Sequence, residues 1–152
     1  MVKHGKLTFE YSKITEYIYI GTNQCCQTHF NKKLLSKGIK ADISLEKERL
    51  DAPFGVDYYL WLPVKDHTAP TQKQLMIGVN FIENLIKNKI KVYIHCQRGH
   101  GRAPTLVAAY LISKGKIAEQ AVEFIKKKRP VIHPNKIQIN ALRRFRKKWQ
   151  SK

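Results

Sequence analysis

Two spacings of apolar residues alternate along the chain. "KADISLE" sets Ala41, Ile43 and Leu45 against Asp42, Ser44 and Glu46, the two-residue period of a half-buried strand. "KLTFEY", "YIYIG", "VDYYLWLPV" and "KVYIHC" read as further strands, the second ended by Gly21 and the third halted at Pro63. Elsewhere the period lengthens. "HFNKKLLSKG" reads as a helix stopping at Gly38, and Leu75, Val79, Ile82 and Ile86 share one helical face. Pro104 suits the first turn of a helix, where its missing N–H needs no partner. "IAEQAVEFIKKKR" reads as another helix, ended at Pro130. A last one lines up Leu142, Phe145 and Trp149 while its arginines and lysines lie mostly elsewhere. Strands alternating with helices predict an α/β fold, a central mostly parallel sheet of about four to five strands flanked by helices. Ligands of such folds sit at the carboxyl ends of the strands.

The chain has 152 residues, no repeat and no Gly/Ser/Pro-rich linker, which predicts a single domain over 1–152. It shows neither a run of about 18 apolar residues, as a membrane span requires, nor an apolar secretion signal. The expectation is a cytoplasmic protein without stable membrane insertion, monomeric by default. Three cysteines, two of them adjacent, build no disulfide framework; reduced thiols are expected, and the odd count leaves at least one thiol free. Cys25 and Cys26 are expected to start a helix packed on the sheet. A disulfide with Cys96 under oxidation is a lesser alternative. Charge adds one restriction: 29 Lys and Arg stand against 11 Asp and Glu, a formal +18. No acid occurs between Glu83 and Glu119. Such a field concentrates anions, from phosphorylated small molecules to acidic peptides, anionic lipid or RNA, and equally keeps a solvated surface soluble.

The chemistry concentrates in "HCQRGHGRAP", residues 95–104, between the last strand and a helix start. Gly99 and Gly101 let the loop turn its backbone N–H groups inward, and such a nest at a helix N-terminus binds a phosphate-like dianion. The same field favours the thiolate of Cys96 over its thiol. Arg102, six residues on, has the fork to hold two oxygens of the bound group. A thiolate, an oxyanion cradle and a guanidinium together point to attack at phosphorus. Taken singly, Cys96 reads as a core cysteine and His95 as a core histidine, one that also supports the loop and the thiolate. Arg98 and His100 are expected to face substrate. Displacing an alkoxide also needs an acid, and Asp66 in "LPVKDHTAP" stands after a strand, where it serves either as that acid or as a turn residue. His67 is the second candidate.

"HCQRGHGR" resembles the His-Cys, five residues, Arg signature of cysteine-dependent protein tyrosine phosphatases. From "ITEYIYIG" through "LLSKGIKADISL", "LPVKDHTAP" and "LVAAYLISKG" to "RPVIHPNKIQINALRRF", the chain resembles a small dual-specificity phosphatase domain. The resemblance implies Cys96 as nucleophile, Arg102 as phosphate clamp, Asp66 as general acid and base, and a phosphate cradle of Gln97, Arg98, Gly99, His100, Gly101 and Arg102. His95 supports the loop, and Gln138 is structural. It implies no metal and no cofactor, and a phosphorylated anionic partner: a phosphoprotein, or a phospholipid or RNA 5′ end. Ala103 departs from the pattern, which has Ser or Thr there to hydrogen-bond the thiolate. Its absence predicts slower hydrolysis of the phosphocysteine, and Thr105 is a poor substitute.

The leading expectation is a phosphomonoester hydrolase of dual-specificity protein phosphatase type. Phosphoinositide, phosphoglucan or RNA 5′-phosphatase activity on the same fold is the alternative. A phosphate-binding pseudophosphatase rests on Ala103 alone and is opposed by Cys96, Arg102 and Asp66. Sulfur transfer would not need Asp66, and arsenate reduction would want well-placed resolving cysteines.

Overall fold

A computed structural model describes residues 6–152. The strands are β1 (Tyr11–Lys13), β2 (Ile18–Gly21), β3 (Ile39–Glu46), β4 (Tyr58–Val64) and β5 (Lys91–His95). The helices are α1 (Lys32–Ser36), α2 (Gln72–Lys87), α3 (Arg102–Ser113), α4 (Ala118–Lys128) and α5 (Lys136–Gln150). One five-stranded sheet runs β1-β2-β5-β3-β4, antiparallel at β1 and parallel elsewhere, as the alternating pattern predicts. Among the described residues no helix is long and apolar enough to cross a membrane.

Four local features differ from the sequence reading. The strand expected over "KLTFEY" begins only at Tyr11, because Tyr11 pairs with Gly21, the last residue of β2, and earlier residues lie beyond its partner. Pro63 does not halt β4, which runs on to Val64. β4 is an edge strand, where a missing N–H costs no ladder bond. Cys25 and Cys26 do not start a helix: they close a short 3-10 turn, Asn23–Cys25, ahead of α1, though they do pack on the sheet. Nor are they reduced thiols here, since the structure joins them in a disulfide and leaves Cys96 as the free cysteine.

The two faces of the sheet are covered unequally. Ile18, Ile20, Ile43, Val92 and Ile94 meet α3, which is buried along nearly its whole length beneath α2, α4 and α5. This accounts for the nearly all-apolar "LVAAYLI" of α3. The opposite face is roofed by the segment from the 3-10 turn through α1, over Tyr19, Ile39 and Tyr93. That roof corrects the half-buried reading of β3. Asp42, Ser44 and Glu46 are buried as fully as Ala41, Ile43 and Leu45, because the polar face of the strand lies under a lid. A capping box closes the N-terminus of α2, with Thr71 accepting from the Gln74 N–H.

Candidate active site

β5 lies between β2 and β3 and delivers its last residue, His95, to the carboxyl edge of the sheet. Successive strand residues point to opposite faces, so His95 follows Tyr93 to the roofed side while Cys96 joins the core on the α3 side. Cys96 is 3% exposed and forms the floor of a cavity of about 210 Å³ that Asp66, Arg98, Arg102, His133 and Gln138 help to line.

The loop over Cys96 is held from outside through five consecutive carbonyls. Gln97 O accepts from the Asn23 N–H at 3.0 Å and His100 O from the His133 N–H at 2.9 Å. Arg98 O and Gly99 O accept from the Arg129 guanidinium at 2.9 and 3.0 Å. Gly101 O accepts from the Thr105 hydroxyl at 2.7 Å and its N–H at 3.0 Å. A trans peptide points its C=O and N–H in opposite directions, so carbonyls bonded outward turn the N–H groups of residues 98–102 inward. Two glycines make the winding possible. Gly99 has φ +72°, and a Cβ there would stand 2.7 Å from Gly21 O. At Gly101 a Cβ would meet the Gln138 amide at 3.0 Å.

Arg102 opens α3 with its side chain buried. Its Nη1 donates to Glu48 Oε1 at 2.6 Å and Val64 O at 2.7 Å, while Nη2 lies 3.4 Å from Asp66 Oδ1. Both Nη1 protons are thereby committed, and the Nε–Nη2 edge is the one that suits a bidentate contact. Burial would lower the Arg102 pKa, but the Cys96 charge, the Glu48 hydrogen bond and Asp66 raise it. Glu48 answers to the same pair. Its partial burial would raise its pKa, and the Arg102 hydrogen bond and charge leave it lowered.

Asp66 sits in the loop after β4, about half exposed, with its N–H donated to Glu48 Oε2 at 3.3 Å. Its Oδ1 accepts from the His67 N–H at 2.9 Å, and His67 takes a left-handed φ of 66°. The loop is tethered to α5. Asn135, the cap of that helix, donates to His67 O at 2.8 Å, and Gln138 donates to Thr68 O at 3.1 Å. The structure thus brings Cys96, the 97–102 loop, Arg102, Asp66 and His67 to one cavity, with His95 beneath it. Gln138 joins them as the strut between α5, Gly101 and the loop that carries Asp66.

Ala103 is fully buried behind the loop. Thr105 gives its one hydroxyl proton to Gly101 O and has none left for the Cys96 sulfur. Glu48, Arg129 and Asn135 escaped the sequence reading. Nothing local marks Glu48, one of several charges in "EKERLD". Arg129 reads as the end of a basic run, although it is buried to 1% and also pairs with Glu10 and Ser12. Only the proline after Arg129 hints that it sits at a chain turn.

Residues 18–148 match the family model described as dual specificity phosphatase, catalytic domain. Putative tyrosine phosphatase 123R of Invertebrate iridescent virus 6 is 32% identical over 142 residues, covering 92% of this chain and 94% of that one. Dual specificity protein phosphatase 5 of Rattus norvegicus is 36% identical over 80 residues, 51% of this chain but only 21% of that protein. The alignment therefore spans about a fifth of that longer relative. The solved structure of PTPMT1 superimposes with a TM-score of 0.79 at 28% identity, over 93% of this chain and 97% of that one. On the match of the family model to most of its length, and of the viral relative to nearly all of it, the chain belongs to the dual-specificity phosphatase catalytic-domain family.

Proposed function

We propose that this chain hydrolyses phosphomonoesters through a cysteinyl-phosphate intermediate. The observation that carries the reading is the ring of five outward-bonded carbonyls over a buried cysteine, with Arg102 at its end. The phosphate enters the cradle with its oxygens on the inward N–H groups and on the Nε–Nη2 edge of Arg102. Cys96 Sγ attacks phosphorus opposite the leaving oxygen. The S–P bond forms, the P–O bond breaks, and Asp66 gives its proton to the departing alkoxide. A water molecule then attacks phosphorus, Asp66 takes its proton, and the thiolate leaves. Glu48 and Val64 O hold the Nη1 corner of Arg102, which fixes the plane of the fork. His95 supports the strand end beneath.

The test is phosphate release from an aryl phosphate by wild type and by Cys96→Ser, Arg102→Ala and Asp66→Ala. Wild type is expected to turn over and Cys96→Ser to be inert. Asp66→Ala is expected to lose about 10²–10⁴-fold in kcat on an alkyl phosphate assayed alongside, and less on the aryl phosphate, whose phenolate leaves more easily. Turnover by Cys96→Ser would remove the covalent route, and an inert wild type would favour a phosphate-binding module.

A phosphoprotein is the first substrate class to test. A phosphoinositide head group is the second, and it has a specific support: the PTPMT1 fold has also been solved in complex with PI(5)P, with 26% identity and a TM-score of 0.78 to this chain. The basic surface of this chain suits the same polyanion.

A further inference from the structure

On the roofed face of the sheet, directly behind the catalytic loop, four metal-ligating side chains meet without exposure to solvent. Cys25, Cys26, Asp42 and His95 are all buried, and their donor atoms lie within 4.8 Å of one another. His95 Nε2 is the hub. Asp42 Oδ1 stands 3.1 Å from it and Cys26 Sγ 3.4 Å. Asp51 Oδ2 lies just beyond, at 3.6 Å. Donors around a tetrahedral zinc with arms of about 2.0–2.3 Å are separated by about 3.3–3.8 Å, so this convergence is near the spacing that one ion imposes.

Hydrogen bonding accounts for only part of the group: Asp42 Oδ2 lies 3.4 Å from His95 Nε2, and Asp51 Oδ1 accepts from Arg49 Nε at 2.8 Å. Among the described residues, nothing donates a hydrogen bond to the buried Asp42 Oδ1 or Asp51 Oδ2. Arg49 pairs with Asp51 at 2.7 Å, whereas Asp42 pairs with the His95 imidazole at 3.1 Å and feels the Arg49 charge from farther off. Burying two carboxylates beside an imidazole and two sulfurs is costly, and with Arg49 committed to Asp51 a bound cation would complete the balance at Asp42. The phosphatase chemistry assigns no task to Cys25, Cys26 or Asp42.

We propose that Cys25, Cys26, Asp42 and His95 form a binding site for a zinc-like divalent cation, loaded when the Cys25–Cys26 disulfide is reduced. A dithiol reductant transfers two electrons and two protons, the S–S bond opens, and the reductant closes to its own disulfide. The freed thiols rotate apart about their side-chain bonds and each loses its proton on binding the ion. The two thiolates, one imidazole nitrogen and one carboxylate oxygen make a soft, four-coordinate set of the kind that selects zinc over magnesium or calcium. The ion bridges the Asn23–Cys25 turn, β3 and the end of β5, the strand that delivers Cys96. The site is separate from the phosphate cradle, because alternation along the strand sends residues 95 and 96 to opposite faces.

The experiment uses the full chain, reduced anaerobically and freed of reductant, with cobalt(II) as the spectroscopic probe and zinc as competitor. Reduced wild type and Cys96→Ser are each expected to take up one cobalt per chain with a thiolate-to-cobalt absorption, displaced by zinc. The disulfide form is expected to take up none. Replacing both Cys25 and Cys26 by Ala should abolish the absorption, and Asp42→Asn should weaken cobalt binding at least tenfold. Circular dichroism identifies any variant that has not folded. Should Asp42→Asn be such a variant, the cysteine pair decides. Absorption that survives the double alanine variant, or that disappears in Cys96→Ser, would overturn the proposal. So would a reduced wild type that takes up no cobalt. Phosphatase activity is not the readout, so failure here is distinguishable from failure of the catalytic reading.

Discussion

Ala103 removes one hydroxyl from the back of the cradle, and the geometry offers no replacement because the Thr105 proton is spent on Gly101 O. A hydrogen bond to a charged group contributes about 1.5–3 kcal/mol, which is about one to two decades in rate if felt wholly in the transition state. Ala103→Ser is therefore expected to speed hydrolysis of the phosphocysteine by up to that factor and to remove a pre-steady-state burst of product. Quenched-flow assay of wild type and variant checks it; a wild type without a burst and a variant no faster would discard it. Glu48 gives a second residue-scale expectation. Its pKa is lowered in the folded chain, so its stabilising contribution is present above the unfolded carboxylate value and is lost as pH falls through the lower folded value. Glu48→Gln should lack that component of acid unfolding. Since Glu48 is about half exposed, it should cost at most about tenfold in kcat/KM through looser hold on Arg102. Thermal melts from neutral pH down through the acid range below the ordinary carboxylate value, together with steady-state kinetics, test both halves.

At the scale of elements, the loop over Cys96 is a short link between β5 and α3 whose shape is imposed by three other segments and by α3 itself. The 3-10 turn, the end of α4, the stretch before α5 and α3 itself each bond one or two of its carbonyls. Arg129 carries the largest share. Removing it deletes the bonds to Arg98 O and Gly99 O, at a cost of about 1–3 kcal/mol for each buried hydrogen bond lost. Arg129→Met is expected to lower the denaturant midpoint and raise KM for an aryl phosphate. Arg129→Lys should recover only part of either, since an ammonium does not reproduce the planar fork. Equilibrium unfolding and KM measured on the same preparations check this; a full-strength KM in a destabilised Arg129→Met would show that the loop keeps its shape alone.

The whole molecule carries a formal +18, and this bears on substrates larger than the cavity. If a phosphoinositide surface is the substrate, hydrolysis on vesicles should fall steeply between low and physiological salt, while hydrolysis of a small aryl phosphate should change little. For the parts of a substrate that lie outside the cavity of about 210 Å³, the field supplies whatever further selection charge provides. Equal salt dependence for both substrates would assign the basic surface to solubility alone.

The α/β class, the parallel strands and the signature loop were legible in the sequence because each rests on local rules: the period of burial, the terminators, and the spacing of Cys96, the glycines and Arg102. Asp66 was legible only beside that loop, since an aspartate before Thr and Pro is also ordinary turn chemistry. Tertiary structure alone decided what lies far apart in the chain. It set Glu48 against Arg102, Arg129 under Gly99, and Cys26 against His95. It also buried both faces of β3, which a two-residue alternation of polar and apolar residues cannot foretell. Hydrophobic period reports whether a face avoids water. Whether a polar face meets solvent or a roof of Asn23, Cys25, Cys26 and α1 depends on where a distant segment folds back.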